Sequence, residues 1–93
     1  MTVVNISETN ALSSRGSIRA AGDPVPPAND QGQSWQYTLG PGRYIFNVSF
    51  IGIAGNTTQF TFSGATATTL SSFPIPGTPG SVGGDTRDIA FTV

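Results

Sequence analysis

The sequence predicts an all-β fold: a small single-domain antiparallel β-sandwich, jelly-roll-like, with roughly six to eight short strands over residues 1–93. Three observations lead there. Apolar residues alternate with polar ones in several short runs, which is the period of a half-buried strand. The runs are punctuated by Gly, Pro, Asn and Asp, and the chain holds 12 Gly and 7 Pro. No stretch carries the i, i+3, i+4, i+7 spacing of an amphipathic helix. A chain of 93 residues supports one core and buries roughly 60% of the surface its unfolded form exposes, so oligomerisation is the expected source of added stability.

Taken in chain order, the first strand is expected over Thr2 to Ile6 and a second around Ile18, followed by a loop from Gly22 to Gly32 that contains Asp23-Pro24 and Pro26-Pro27. The clearest unit runs from Ser34 to Ile53. Trp35, Tyr37 and Leu39 alternate with polar residues, Gly40-Pro41-Gly42 follows, and Tyr44, Phe46, Val48 and Phe50 resume the alternation. This reads as a β-hairpin, and an even loop would set Leu39 opposite Tyr44, Tyr37 opposite Phe46 and Trp35 opposite Val48, all on one face. The long second strand calls for a bend, with Gly52 as the place for a bulge that would return Phe60 and Phe62 to the core.

Further along, the Thr-rich segment from Thr66 to Leu70 has high β propensity and little to bury, which suits an edge strand or one that pairs with another chain. The segment from Phe73 to Gly84 reads as loop throughout, with three prolines that cannot donate to a ladder. Ile89 to Val93 closes the chain as an alternating strand.

For function, composition works mainly by exclusion. Only 10% of residues are charged, the net charge is -1, and the four cations are Arg15, Arg19, Arg43 and Arg87. No basic stripe is long enough to neutralise several phosphates, so no nucleic-acid partner is expected. With no His, Cys or Lys, Ser-His-Asp, Cys-His and Schiff-base chemistry are ruled out. What remains is a carboxylate pair drawn from Glu8, Asp23, Asp30, Asp85 and Asp88, to which a domain without room for a deep cleft is poorly suited, so the chain is not expected to be an enzyme. Residues from Met1 to Asn5 lack the basic segment and apolar run of a signal peptide, and no run approaches the length of a membrane span.

Several clusters have two readings. Asp85-Thr86-Arg87-Asp88 could offer oxygen ligands to Ca²⁺, but Arg87 opposes a cation and a solvated turn with an internal ion pair is the preferred reading. No cofactor or metal is therefore expected. The sequons at Asn5, Asn47 and Asn56 are attributed to the abundance of Asn, Ser and Thr. Trp35, Tyr37 and Tyr44 could form a stacking platform for sugars, but parity groups them with Leu39, Phe46 and Val48 in the core. The opposite face of the long strand carries Ile45, Asn47, Ser49, Ile51 and Ile53, which would either pack on a second sheet or form a subunit interface.

The stretch from Leu39 through Gly40-Pro41-Gly42 and Arg43 to Ser49 is similar to the hairpin of secreted β-sandwich modules, including bacterial pre-peptidase-type domains. That resemblance implies a fold class and carries over no functional residue.

The function expected from these readings is that of a non-enzymatic structural assembly protein located in a virion, such as a capsid decoration or cement protein or a small tail or fibre protein. It would contact copies of itself or a major capsid or tail protein through Ile45, Ile51 and Ile53 and through the Thr66 and Thr68 edge. The alternative is an extracellular carbohydrate-binding module.

Overall fold

The computed structural model describes residues 1–20, 23–25, 29–31 and 33–93. Among them are ten strands: β1 (Thr2–Thr9), β2 (Ser13–Ala20), β3 (Asp23–Val25), β4 (Asn29–Gln31), β5 (Ser34–Leu39), β6 (Arg43–Ile53), β7 (Thr57–Ser63), β8 (Thr66–Ala67), β9 (Ser72–Pro74) and β10 (Val82–Thr92). They form two five-stranded sheets, ordered β4-β5-β1-β7-β9 and β3-β2-β6-β10-β8, and each described pairing is antiparallel. The β-sandwich expected from the sequence is the architecture observed. The strand count exceeds the expected one because β3, β4, β8 and β9 are edge pieces of two or three residues, too short to show a period.

Alternation sets the inner faces. Val4 and Ile6 on β1, Trp35, Tyr37 and Leu39 on β5, Phe46, Val48 and Phe50 on β6, and Ile89 and Phe91 on β10 are all buried, each separated by an outward residue. The core between the sheets is largely aromatic. Trp35 meets Phe46 edge-on with ring centroids 5.0 Å apart, Phe46 meets Phe60 at 6.0 Å, and Phe50 stacks on Phe73 at 6.3 Å. These contacts run across the interlayer, from β5, β7 and β9 in the first sheet to β6 in the second.

The expected hairpin from Ser34 to Ile53 is not formed. Leu39 pairs with Thr2 on β1, whereas Tyr44 pairs with Phe91 on β10, so the two strands lie in opposite sheets. Gly40-Pro41-Gly42 carries the chain across, and Gly42 exchanges backbone hydrogen bonds with Val93 at 3.1 and 2.9 Å. Parity correctly assigned the buried residues and misassigned their neighbours, because facing strands and paired strands bury the same alternating set.

The bulge at Gly52 is also absent. β6 and β10 keep one unbroken register from Val82↔Ile53 to Thr92↔Arg43. Gly52 points inward and is buried, and Ile75 occupies the space a Cβ would need. Phe60 reaches the core by a different route: the chain turns at Ala54–Asn56 and enters the first sheet as β7.

Two expected loops are partly strand. Within Gly22 to Gly32, Asp23–Val25 and Asn29–Gln31 form edge strands, and residues 22, 26–28 and 32 lie outside the described residues. Within Phe73 to Gly84, β9 takes the first residues and β10 begins at Val82, leaving residues 75–81 as the connection. Gly83 and Gly84 belong to β10 because neighbouring backbone comes close there: a Cβ on Gly83 would strike the Pro76 carbonyl oxygen, and one on Gly84 would lie 2.6 Å from the Phe50 carbonyl oxygen.

Candidate functional site

The outer face of the second sheet is the most distinctive surface among the described residues. It is built from the odd-numbered residues of β2 and β6 and the even-numbered residues of β10, in rows fixed by register: Ser13–Ile51–Gly84, Arg15–Ser49–Thr86, Ser17–Asn47–Asp88 and Arg19–Ile45–Ala90. No second layer covers it among the described residues, so Ile45 and Ile51 are 45% and 50% exposed. The expectation that this face packs on another sheet is thereby corrected. β6 is the central strand of its sheet, and the layer it packs on lies on its other side.

The face divides into three zones. At one end Ile51 is joined by Leu12, whose N–H donates to the Ile51 carbonyl at 2.8 Å, and by Val82, which pairs with Ile53. Leu12 and Val82 are 63% and 64% exposed, while Ile53 is half-buried. The middle is polar and internally bonded: the Asn47 amide donates to Asp88 at 2.7 Å, and the Ser49 and Thr86 hydroxyls are 2.9 Å apart. At the other end, a depression of about 620 Å³ is lined by Ile45, Ala90, Thr68, Thr92, Arg19 and Arg43.

The predicted contact residues are thus brought together only in part. Ile45 and Thr68 share the depression, with Ala90 between them, and Thr68 donates from both its N–H and its hydroxyl to the Ala90 carbonyl. Thr66 is next to it, paired with Thr92 at the sheet edge. Ile51 and Ile53 lie at the far end of β6. The Thr66 to Leu70 edge is real but short, since β8 spans only Thr66–Ala67 before Thr68 and Thr69 continue the contact with β10 by individual bonds.

Sequence reasoning missed the electrostatics of this face. Arg15, Arg19 and Arg43 are all exposed on it, and among the described residues none forms an ion pair. The signal was present in the alternation of Ser13, Arg15, Ser17 and Arg19 with Ser14, Gly16 and Ile18, which gives β2 an outer polar edge and an inner small or apolar one. Arginine is the cation best suited to a contact surface, because its planar guanidinium is weakly hydrated and bonds carboxylates in pairs.

The Asp85 to Asp88 cluster is not a turn. It lies inside β10, with Asp85 and Arg87 on the inner side at the sandwich margin and Asp88 on the outer face. Arg87 Nε donates to Asp85 Oδ2 at 2.8 Å, and the guanidinium sits 5.3 Å from the Phe73 ring centroid. Asp85 Oδ1 also accepts the Thr86 N–H at 2.8 Å. These two donors, the backbone one first, hold the Asp85 carboxyl below its ordinary value of 3.8. Among the described residues no three His, Cys, Asp or Glu side chains gather as a metal site.

The aromatic platform does not exist at Trp35 and Tyr37, which are buried in the core. Tyr44 is half-buried, stacked on Phe91 at 5.5 Å, and its hydroxyl donates to the Gly40 carbonyl at 2.9 Å. Of the sequon residues, Asn5 is exposed on β1, Asn47 is tied to Asp88 within β6, and Asn56 is exposed in the turn before β7. No family model matches the chain, and comparison with curated proteins and with solved structures found no match.

Proposed function

We propose that this chain is a non-enzymatic structural subunit that works by surface contact, with copies of itself, with a larger lattice such as a major capsid or tail protein, or with both. A decoration, cement or small tail or fibre component of a virion is the role that fits a small, weakly charged sandwich rich in Thr, Ser and Gly. The observation that carries the reading is the outer face of the second sheet, bare among the described residues, where Ile45, Ile51, Leu12 and Val82 are each 45–64% exposed and Arg19 and Arg43, which form no ion pair among the described residues, flank the apolar end at Ile45. Single exposed apolar residues need no partner, but Ile51, Leu12 and Val82 gather at one end of this face and Ile45 lines a depression at the other, which supports a contact surface.

The test is molar mass by light scattering at several concentrations, together with co-sedimentation on a purified capsid or tail lattice. Assembly or lattice binding that Ile45→Asp with Ile51→Asp weakens by about a hundredfold supports the reading, since two buried isoleucines contribute about 3 kcal/mol or more. A chain that stays monomeric and binds no such lattice overturns it.

A further inference from the structure

The second sheet also ends in an open strand edge with an unusual charge pattern. β10 pairs with β6 along its whole length, but on its other side β8 covers only Phe91 and Thr92 as strand, with Ala90 held by Thr68 and Thr69. The Thr68 N–H donates to the Ala90 carbonyl and the Ala90 N–H donates to Thr69 Oγ1, so the backbone groups of Ala90 point away from β6. By the alternation of an antiparallel strand, those of Asp88, Thr86 and Gly84 point the same way. Among the described residues no strand pairs with them, and the Thr86 N–H is taken up by the neighbouring Asp85 carboxylate.

Open edges invite another strand, and inward-pointing charges ordinarily guard against that. Here the two guards, Asp85 and Arg87, have opposite signs and lie symmetrically about Thr86. We propose that this edge is a self-pairing site, in which β10 of a second copy adds antiparallel to β10 about a two-fold axis at Thr86. This deepens the assembly reading above and rests on it.

The register follows from the axis. Thr86 faces Thr86, Gly84 faces Asp88, and each of these pairs exchanges both of its backbone hydrogen bonds, because those residues carry the outward groups. Asp85 of one copy falls opposite Arg87 of the other, twice, on the same face of the continuous sheet. A Thr–Thr pair and two opposite-charge pairs are the favourable cross-strand combinations. The Asp85 carboxylate gives up the Thr86 N–H and gains the partner's guanidinium in exchange. Gly84, lacking a side chain, leaves room at the Asp88 end, where Leu70 is 76% exposed. Val82 falls opposite Ala90, whose outward backbone groups are already taken by Thr68 and Thr69, so the new ladder ends at the two Gly84–Asp88 pairs. The contact is isologous and closes on itself as a dimer.

The charge pattern makes the test self-controlled. Arg87→Asp places like charges opposite each other and is expected to weaken dimerisation by about tenfold or more, while Asp85→Arg with Arg87→Asp restores complementarity and the dimer mass. Circular dichroism checks that both variants fold. Hydrogen exchange on the unaltered chain supplies a second readout: the Gly84, Thr86 and Asp88 amides are expected to become protected as concentration rises through the dimerisation range. Exchange at these amides that does not depend on concentration overturns the proposal, as does an oligomer whose mass neither charge variant changes. An oligomer lost only on Ile45→Asp with Ile51→Asp overturns this edge while leaving the assembly reading intact. A monomer at every concentration overturns the edge, and the assembly reading falls with it only if lattice binding is also absent.

Discussion

At the scale of single residues, one glycine is held close beneath the aromatic core. Gly16 on β2 faces inward, and a Cβ there would run into the Phe46 ring, with Trp35 3.3 Å away. Gly16→Ala is therefore expected to destabilise the fold by about 1–3 kcal/mol in denaturant unfolding. Two buried polar residues illustrate opposite cases. Glu8 Oε1 accepts from the Thr58 hydroxyl at 2.9 Å and from the Ala11 N–H at 2.6 Å, tying β7 and the β1–β2 corner to one carboxylate. Thr58→Val keeps the shape but leaves the buried Glu8 with fewer donors, so a loss of about 1–3 kcal/mol is expected. Ser14 is buried on β2, and its hydroxyl has no hydrogen-bond partner among the described residues. Ser14→Ala is expected to be neutral or to raise the melting temperature, and a clear drop would mean that the hydroxyl is engaged.

At the scale of elements, β10 combines three roles. Its 11 residues pair throughout with β6, its inner face supplies Ile89 and Phe91 to the core, and its middle carries the Asp85–Arg87 pair. Because the Asp85 carboxyl titrates below 3.8 in the folded chain, its contribution to stability is present above that pH and is lost as pH falls through and below it. The pair is more than a third exposed, so the effect is small. Melting curves between about pH 5 and pH 2 are expected to show a shallower acid loss for Asp85→Asn than for the unaltered chain. Equal slopes would show that the pair does not contribute. Reading this strand from sequence failed at Val82 to Asp88, because Gly83-Gly84 and two aspartates score as loop wherever local propensity alone is consulted. The ladder to β6 overrides that propensity, and the glycines serve the close approach of Pro76 and Phe50.

At the scale of the molecule, stability comes from an aromatic layer shared by both sheets. Trp35 contacts Phe46 across the interlayer and Phe60 within its own sheet, so Trp35→Ala is expected to cost about 3–5 kcal/mol and to abolish folding in a chain this small. Retention of the fold with loss of glycan binding would instead revive the carbohydrate reading. The candidate contact face was legible in outline. Ile45 and Ile51 alternate with core residues on β6 and had to lie on the other side of it, and the Thr66 edge follows from a β-prone segment with nothing to bury. Leu12 and Val82 could not be assigned to that face from their own segments, since they join it only through cross-strand contacts, whereas Arg43 shares the β6 alternation with Ile45.

What the amino-acid sequence by itself determined is the fold class, the inward face of the main strands and the identity of most of the core, because alternation between apolar and polar residues is a property each strand carries alone. Tertiary structure decided which strands are neighbours. It turned an expected hairpin at Gly40-Pro41-Gly42 into a crossing between sheets, made the bulge at Gly52 unnecessary, and left one edge of β10 largely unpaired among the described residues. Backbone hydrogen bonds are the same for nearly every residue type, so the choice between pairing beside a strand and packing across from it is settled by how the whole chain closes its core.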